Sequence, residues 1–562
     1  MSTPSTTNAP PWQRADSLLL AALLAIAAAW IALRVQWSWT PMEDAAMLLR
    51  YAQHFAAWQG IRWSLNQAPV DGATDFLYMV ATGALSRAAH LSVITASRWV
   101  NIAAQMLTIT LVYIGARRLG GHRWLSAAMA LYLIAGPFTS LTNACFGAPF
   151  FALFLLACWI AGLRYALHAP TWPAAFAMAL LGLLAGLTRP EGVLIAGLLL
   201  VAALYLAYAP THARSGWRSG VPVIVSYALV FGLLGGAYFA WRWRYFGYPL
   251  PNPFYIKGNG HLYPSSVGHA VHNLVTLLLP VLPLLPLGWL SESTRRLTNA
   301  LLLVLLSFTV MWVLLSNANN HFGRFQYALV PIVLMSAPAL ARGLTDVLPT
   351  LDTHRWTRLQ RAGALLAVTF AVAAGMLYSS RTTSYYQTAW GMRTFALRLQ
   401  PLAARGYTMA VTEAGALPLY SEWNAIDGLG LNDAYVAHHR HLDAAYLDRF
   451  HPELVMTHID RFDPREFTAG GLAHEPPAND GAYNTDYLNF YAATHGYTLA
   501  AAWGADQCNL HLYWLRPGFA DYATVLADIR DHSYVFLDDG FTAHDYRNEM
   551  ETTQVCSVPA AQ

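Results

Sequence analysis

Two adjacent acids, Glu43 and Asp44, stand in the stretch Trp39-Thr40-Pro41-Met42-Glu43-Asp44-Ala45-Ala46-Met47-Leu48-Leu49-Arg50-Tyr51, just beyond an apolar run that ends at Val35. Such a pair suits general-base chemistry, because neighbouring carboxylates raise one another's pKa and bring one of them toward neutral pH. Pro41 fits the first turn of a helix, so the acids also read as caps on that helix's positive end. Capping alone would account for an isolated pair. This pair has company. Arg50 lies two turns on, the polar run Asn66 to Asp75 follows, and Arg189, Lys257 and Arg324 recur in later polar stretches. Lys257 is the single lysine of the chain. Together these residues could line one cavity that holds both a base and an anion.

The elements that must position them are membrane spans. Of 562 residues, 56% are hydrophobic and only 12% charged, with a mean hydropathy of +0.34. A soluble globular chain carries roughly 25% charge. The net charge of +3 gives no reason for a nucleic-acid partner. The sequence has no Walker motif, no Gly-rich phosphate loop and no internal repeat, which argues against a primary pump. Eleven apolar runs read as spanning helices: Leu18 to Val35, Trp99 to Ala116, Trp124 to Leu141, Pro149 to Ala166, Trp172 to Leu187, Gly192 to Tyr208, Val221 to Phe239, Ala270 to Leu290, Leu297 to Leu315, Gln326 to Leu340 and Ala362 to Tyr378. No small-residue cleavage site follows the first run, so it is read as a span and not as a signal peptide.

Charge sets the orientation. With Arg14 in the cytoplasm, the loops bearing Arg117, Arg118 and Arg123, then Arg164, Arg214 and Arg218, Arg295 and Arg296, and Arg342 to Arg361 share that side, as the positive-inside bias asks. Counting Asp75 to Leu91 as a twelfth span would turn all of them outward, so it is expected to be interfacial or re-entrant. The stretches Gln36 to Arg98, Thr188 to Glu191, Trp241 to Gly268 and Asn317 to Phe325 then face outward. The odd count exports everything after Tyr378. Residues 1–379 are thus expected to form a membrane domain and 380–562 a soluble α/β domain outside the cytoplasm. In the latter, Tyr407 to Val411, Leu454 to His458 and His511 to Leu515 read as strands and Asp443 to Phe450 as a helix. Its His438-His439-Arg440-His441 stretch reads as a metal cluster or as solvated surface. Cys508 and Cys556 are free to pair if the domain is exported. Trp423 and Tyr435 would stack on sugar rings or pack internally.

Glu43-Asp44-Ala45 followed by Arg50-Tyr51-Ala52 resembles the DDA…RYA opening of a group of polytopic GT-C glycosyltransferases that includes the mycobacterial terminal arabinofuranosyltransferase of cell-wall arabinan. The resemblance continues in order through Val70-Asp71-Gly72-Ala73-Thr74-Asp75, Thr188-Arg189-Pro190-Glu191-Gly192, Leu250-Pro251-Asn252-Pro253-Phe254-Tyr255-Ile256-Lys257, Gly323-Arg324-Phe325, Glu413-Ala414-Gly415-Ala416-Leu417 and Ile426-Asp427-Gly428-Leu429-Gly430-Leu431-Asn432-Asp433. It covers residues 36 to about 440. There are departures: Glu43 replaces the family's first Asp, and Cys145-Phe146-Gly147-Ala148 lacks an acid at Gly147.

The resemblance implies a GT-C fold of about eleven spans. It implies an enzyme of the bacterial inner (plasma) membrane, with a cytoplasmic N-terminus and a periplasmic or extracellular C-terminal domain. Such an enzyme moves a sugar, here arabinofuranose by likeness, from a polyprenyl-phosphate donor to a glycan, lipid or protein acceptor. It assigns Asp44, with Glu43, to the base. Arg189, Lys257, Arg324 and Tyr255 go to the donor phosphate. Arg50, Asp71, Asp75, Asn252, His321 and Glu413 go to the substrate. Some members use a divalent metal, which Glu43, Asp44 and Asp71 would hold here. The competing expectation is a transporter or lipid-linked-sugar flippase. That reading predicts inverted repeats and polar breaks at mid-membrane, which the sequence lacks, and it leaves the large C-terminal region without a use. An O-antigen-type ligase, moving a whole glycan from a diphosphate carrier, is the third.

Overall fold

The computed structural model describes residues 11–167, 170–208, 220–258, 262–315, 320–343, 392–459, 475–476, 483–506 and 509–531, with a few isolated positions between 358 and 373. The membrane part opens with α1 (Arg14–Arg34). A long polar connection then carries α2 (Glu43–Ala56) and α3 (Phe76–Ala89). Next come α4 (Val93–Arg118), α5 (Arg123–Ala135), α6 (Phe138–Asn143), α7 (Ala148–Leu167), α8 (Trp172–Thr188) and α9 (Glu191–Ala207). The helix α10 (Val221–Leu229) passes through a π-helical turn at Val230–Gly235 into α11 (Gly236–Phe246). The set closes with α12 (Asn252–Lys257), α13 (Pro264–Leu278), α14 (Leu284–Leu290), α15 (Arg295–Met311), α16 (Arg324–Tyr327) and α17 (Val330–Leu340).

Among the described residues, five helical stretches are long and apolar enough to cross a bilayer: Arg14–Arg34, Val93–Arg118, Arg123–Asn143, Ala148–Leu167 and Val221–Phe246. Three shorter helices, Trp172–Thr188, Glu191–Ala207 and Val330–Leu340, are also predominantly apolar. Several expected runs are not single helices. Ala270 to Leu290 is split between α13 and α14 where Pro280 and Pro283 remove backbone donors. Gln326 to Leu340 falls into α16 and α17. Ala362 to Tyr378 lies outside the described residues, bar isolated positions. The α3 helix has 14 residues and so spans about 21 Å, short of the roughly 30 Å of hydrocarbon.

Small residues bring the central helices together. A Cβ on Gly162 of α7 would lie 3.0 Å from Met178 of α8, and one on Gly182 of α8 would lie 3.0 Å from Ala196 of α9. At the end of the bundle away from α2, buried Asp16 accepts from Arg117 at 2.7 Å and from the Tyr113 hydroxyl at 3.0 Å, tying α1 to α4.

The C-terminal α/β region begins with a helix over 392–399. It contains five strands, β1 (Thr408–Val411), β2 (Asn424–Asp427), β3 (Leu454–Ile459), β4 (Thr498–Asp506) and β5 (Asn509–Leu515), in the order β2-β1-β3-β5-β4. The strand β1 runs parallel to β2 and β3, whereas β5 runs antiparallel to β3 and β4. Successive side chains alternate between faces. Ala410, Ile426, Val455, Leu512 and Trp514 join a core with the helix Tyr483–Thr494. Met409, Val411, Leu454, Met456, Tyr513 and Leu515 join the same core cluster as the membrane helices. One face of the sheet is therefore turned toward the bundle. Its β2 edge is met by the connection between α2 and α3. The Ser64 hydroxyl accepts from Ala425 N–H, Asn424 Oδ1 accepts from Leu65 N–H, and Asn66 donates to Thr408 Oγ1.

Candidate active site

Asp44 sits in the first turn of α2, whose N-cap is Met42. Pro41 therefore precedes the helix instead of occupying its first turn. The Asp44 carboxylate accepts from Arg324 Nη2 at 2.5 Å. Arg324 begins α16, directly after Phe322 and Gly323, which both hold left-handed backbone conformations. That conformation costs a phenylalanine free energy, and it turns the chain sharply enough to aim Arg324 inward. The guanidinium lies 4.1 Å above the Phe146 ring and 4.9 Å from that of Phe325. Such stacking suits arginine more than lysine.

Asp44, Arg324, Asp75, Arg189, Glu191, Lys257 and Asn432 line a common cavity of about 300 Å³, walled by Phe146, Phe254, Trp312 and Phe325. Arg189, at the α8–α9 junction, pairs with Asp75 at 2.8 Å and with Glu191 at 2.6 Å. Lys257 ends α12 and reaches solvent at the mouth. Its ammonium has no ion-pair partner among the described residues. The expected convergence of one acid with three cations is thus present. It is assembled from the first turn of α2, the α8–α9 junction, the end of α12 and the start of α16. At Gly147, a Cβ would meet Asp75 Oδ2 and the Tyr78 ring, each at 2.8 Å. Asp75 thus fills the space an acid at position 147 would need.

Burial pushes the Asp44 carboxyl up, but the Arg324 guanidinium, with Lys257 and His321 beyond it, more than offsets this and holds it below its ordinary value. Burial lifts Asp75 above its ordinary value despite Arg189, and Glu191 adds to the rise. The protein packed around the cavity mouth disfavours the charged form of Lys257 and lowers its pKa. Asp44 opposes that change, and Arg324 and Arg189 reinforce it.

Glu43 is not beside Asp44 in function. Its carboxylate turns to the C-terminal region and accepts from Gly415 N–H at 2.6 Å and from Ala416 N–H at 3.0 Å. Burial and the nearby Glu413 carboxylate raise its pKa to about 8, against the two amide bonds. It clamps the sheet region onto α2. Arg50 is fully buried and outside the cavity, donating to Gln53 Oε1 at 2.9 Å and to the Trp423 carbonyl at 3.1 Å. Asp71 pairs with Arg242 of α11. Asn252 is buried and donates to the carbonyls of Gly430, Leu431 and Asp433. Tyr255 turns its ring to His438 and Tyr248, away from the cavity. These residues brace the walls from behind and do not line them. His321 lies outside the lining, and burial and Arg324 lower its pKa. Trp423 is buried and donates to the Leu399 carbonyl, so it packs. Tyr435 stacks on Tyr446.

The sequence reading missed Phe146, Arg242 and Asn432. Arg242 sits in Trp241-Arg242-Trp243-Arg244, where nothing distinguishes it from its neighbour Arg244. The proposed metal acids do not gather. Asp44 is held by Arg324, Asp71 by Arg242, and Glu43 by the backbone amides. Among the described residues, the group with metal-binding spacing is Glu413, His458 and His511. His438 is stacked on Tyr248. Cys145 and Cys158 are free and buried, whereas Cys508 and Cys556 lie outside the described residues.

Residues 381–525 match a family described as a domain of unknown function (DUF8728). No curated protein sequence matches the chain. Solved structures do. The crystal structure of ArnT from Cupriavidus metallidurans bound to undecaprenyl phosphate aligns with a TM-score of 0.57 at 16% identity, covering 88% of this chain and 97% of that one. Arabinofuranosyltransferase AftD from Mycobacteria aligns at 0.51 and 13% identity over 91% of this chain, which spans 40% of AftD. The Archaeoglobus fulgidus oligosaccharyltransferase in its apo form aligns at 0.50 and 11% identity, covering 87% and 73%. At such identities the likeness is one of fold. The chain shares the polytopic helical fold of these proteins and carries a C-terminal α/β region.

Proposed function

We propose that the protein is a membrane glycosyltransferase that moves a sugar from a polyprenyl-phosphate donor to a hydroxyl of a glycan, lipid or protein acceptor. Arabinofuranose is the sugar favoured by the sequence motifs. The observation that carries the reading is the cavity in which Asp44 faces Arg324 while Lys257 stands nearby in no ion pair with any described residue. ArnT, which shares the fold, has been crystallised with a polyprenyl phosphate. In this reading the cavity opens on the non-cytoplasmic side, with the C-terminal region exported, as the arginine distribution favours.

The step forms a bond between the acceptor oxygen and the sugar's anomeric carbon, and breaks the bond from that carbon to the phosphate oxygen. Asp44 takes the acceptor's proton. The polyprenyl phosphate leaves with its full charge, stabilised by Lys257 and Arg324. The Asp44–Arg324 pair fits this sequence of events. While the site is empty, Arg324 keeps Asp44 a weak base. A donor phosphate competes for the guanidinium, and a buried carboxylate that loses its cation becomes a stronger base.

The test is sugar transfer by the full-length protein, in lipid nanodiscs, from radiolabelled polyprenyl-phosphate sugars. Wild type should transfer, and Asp44→Asn should lose about 10²–10⁴ of the rate while still binding the donor. Normal transfer by Asp44→Asn would remove the base. Solute movement across vesicles without any donor binding would favour a carrier instead.

A further inference from the structure

We propose that Glu413, His458 and His511 form a binding site for a divalent transition-metal ion, of which zinc is the best match, on the face of the C-terminal sheet turned toward the bundle. The three side chains make a row across three adjacent strands. Glu413 lies just after β1, His458 is in β3, and His511 in β5 is its direct cross-strand partner. The β1–β3 register, Met409 with Leu454 and Val411 with Met456, carries on to set Glu413 beside His458. Alternation along β3 and β5 puts both imidazoles on the same side as Met456 and Tyr513, which belong to the core shared with the membrane helices.

Their ligand atoms lie within 4.8 Å of one another. His458 Nδ1 is 3.2 Å from Glu413 Oε1, and His511 Nε2 is 2.8 Å from Oε2. Nε2 of His511 is buried, and despite that closeness it makes no hydrogen bond of acceptable geometry. Two ring nitrogens and a carboxylate oxygen converging on one point are what a metal ion asks for. Two imidazoles and one glutamate form a donor set that leaves zinc an open coordination position. Imidazole with carboxylate suits zinc and other late first-row ions. All three groups are partly exposed, so an ion can enter, and paired strands hold them at a fixed spacing. Glu413 lies two residues before Gly415, whose amide meets Glu43, so an ion here would sit beside the clamp between sheet and bundle.

The inference does not need the transfer reading, and its test uses no sugar donor. Chelator-stripped full-length protein in detergent is titrated with Zn²⁺ alone and with Co²⁺ alone. We expect one saturable Zn²⁺ per chain, a visible Co²⁺ absorption band, and a rise in Tm on adding Zn²⁺. His458→Gln, His511→Gln and Glu413→Gln should each weaken binding by more than about tenfold, since even outer-shell partners of a metal ligand cost 10–100-fold. Replacing His438, His439 and His441 together by Gln should leave binding unchanged. Absence of saturable uptake at micromolar Zn²⁺, uptake lost with the His438–His441 stretch, or unaltered uptake in His458→Gln and His511→Gln would each overturn the site. Should the variants not fold, X-ray absorption on zinc-loaded wild type decides it. Two imidazole ligands support the site, and a shell without imidazole refutes it.

Discussion

In the transfer reading, Asp44 carries two burdens that conflict unless the site changes during binding. Arg324 holds its pKa low, which makes it a weak base, and loss of that cation would leave a buried carboxylate that is a stronger one. Because its folded pKa is depressed, the pair stabilises the protein above the ordinary carboxylate range, and that stability is lost as pH falls through the lowered value. The same logic predicts two different acid limbs in the pH–rate profiles. The kcat/KM profile reports the free enzyme, and its limb should fall at low pH. The kcat profile reports the donor-bound state, and its limb should lie at higher pH. Coincident limbs would mean that the phosphate never reaches Arg324. Lys257 and Arg189 should also part company. Lys257→Ala should weaken donor binding by about 10–100-fold, the worth of a charged hydrogen bond, with Tm unchanged because its side chain reaches solvent. Arg189→Ala leaves Asp75 and Glu191 without their cation and should lower Tm as well, which thermal unfolding in detergent would register.

At the scale of elements, the motif residues divide into those that line the cavity and those that hold its walls. Arg50 illustrates the second kind. It was legible as a charged residue two turns from an acid pair, but its buried guanidinium fastens α2 to the Trp423 carbonyl. Arg50→Ala should cost about 1.5–3 kcal/mol of stability, and the surviving folded fraction should bind donor normally. Gly415 belongs to the Glu43 clamp, and a Cβ there would lie 2.2 Å from the Glu43 carbonyl oxygen. Gly415→Ala should destabilise by about 1–3 kcal/mol through overpacking and speed proteolysis of the C-terminal region. Unchanged protease resistance would show that the clamp does not hold the two parts together. Sequence reading reached β1, β3 and β5 because their runs are rich in branched and aromatic residues. It missed β4, Thr498–Asp506, whose three consecutive alanines carry no strand signal, and β2, whose four residues hide in a polar motif.

At the scale of the molecule, the convergence of polar stretches was legible because residue type and side of the membrane both constrained them. Glu413 was read as a substrate contact. Its partners His458 and His511 stand about 45 and 98 residues further along the chain, and only the sheet register brings them together. The span count was less legible, because prolines and short helices divide runs that hydropathy alone joins. The assembled cavity sets three acids, Asp44, Asp75 and Glu191, against three cations, Arg189, Lys257 and Arg324. Among the described residues Lys257 is in no ion pair, so an incoming phosphate can meet it directly; to gain a second cation it must open a pair, and in the transfer reading that pair is Asp44–Arg324. The most direct check is a cryo-electron microscopy structure of the full-length protein in nanodiscs with a polyprenyl monophosphate. The account predicts the phosphate within hydrogen-bond reach of Lys257 and Arg324, with the Asp44–Arg324 bond lengthened or broken. A phosphate bound outside this cavity, or seated away from both cations with that pair intact, would contradict it.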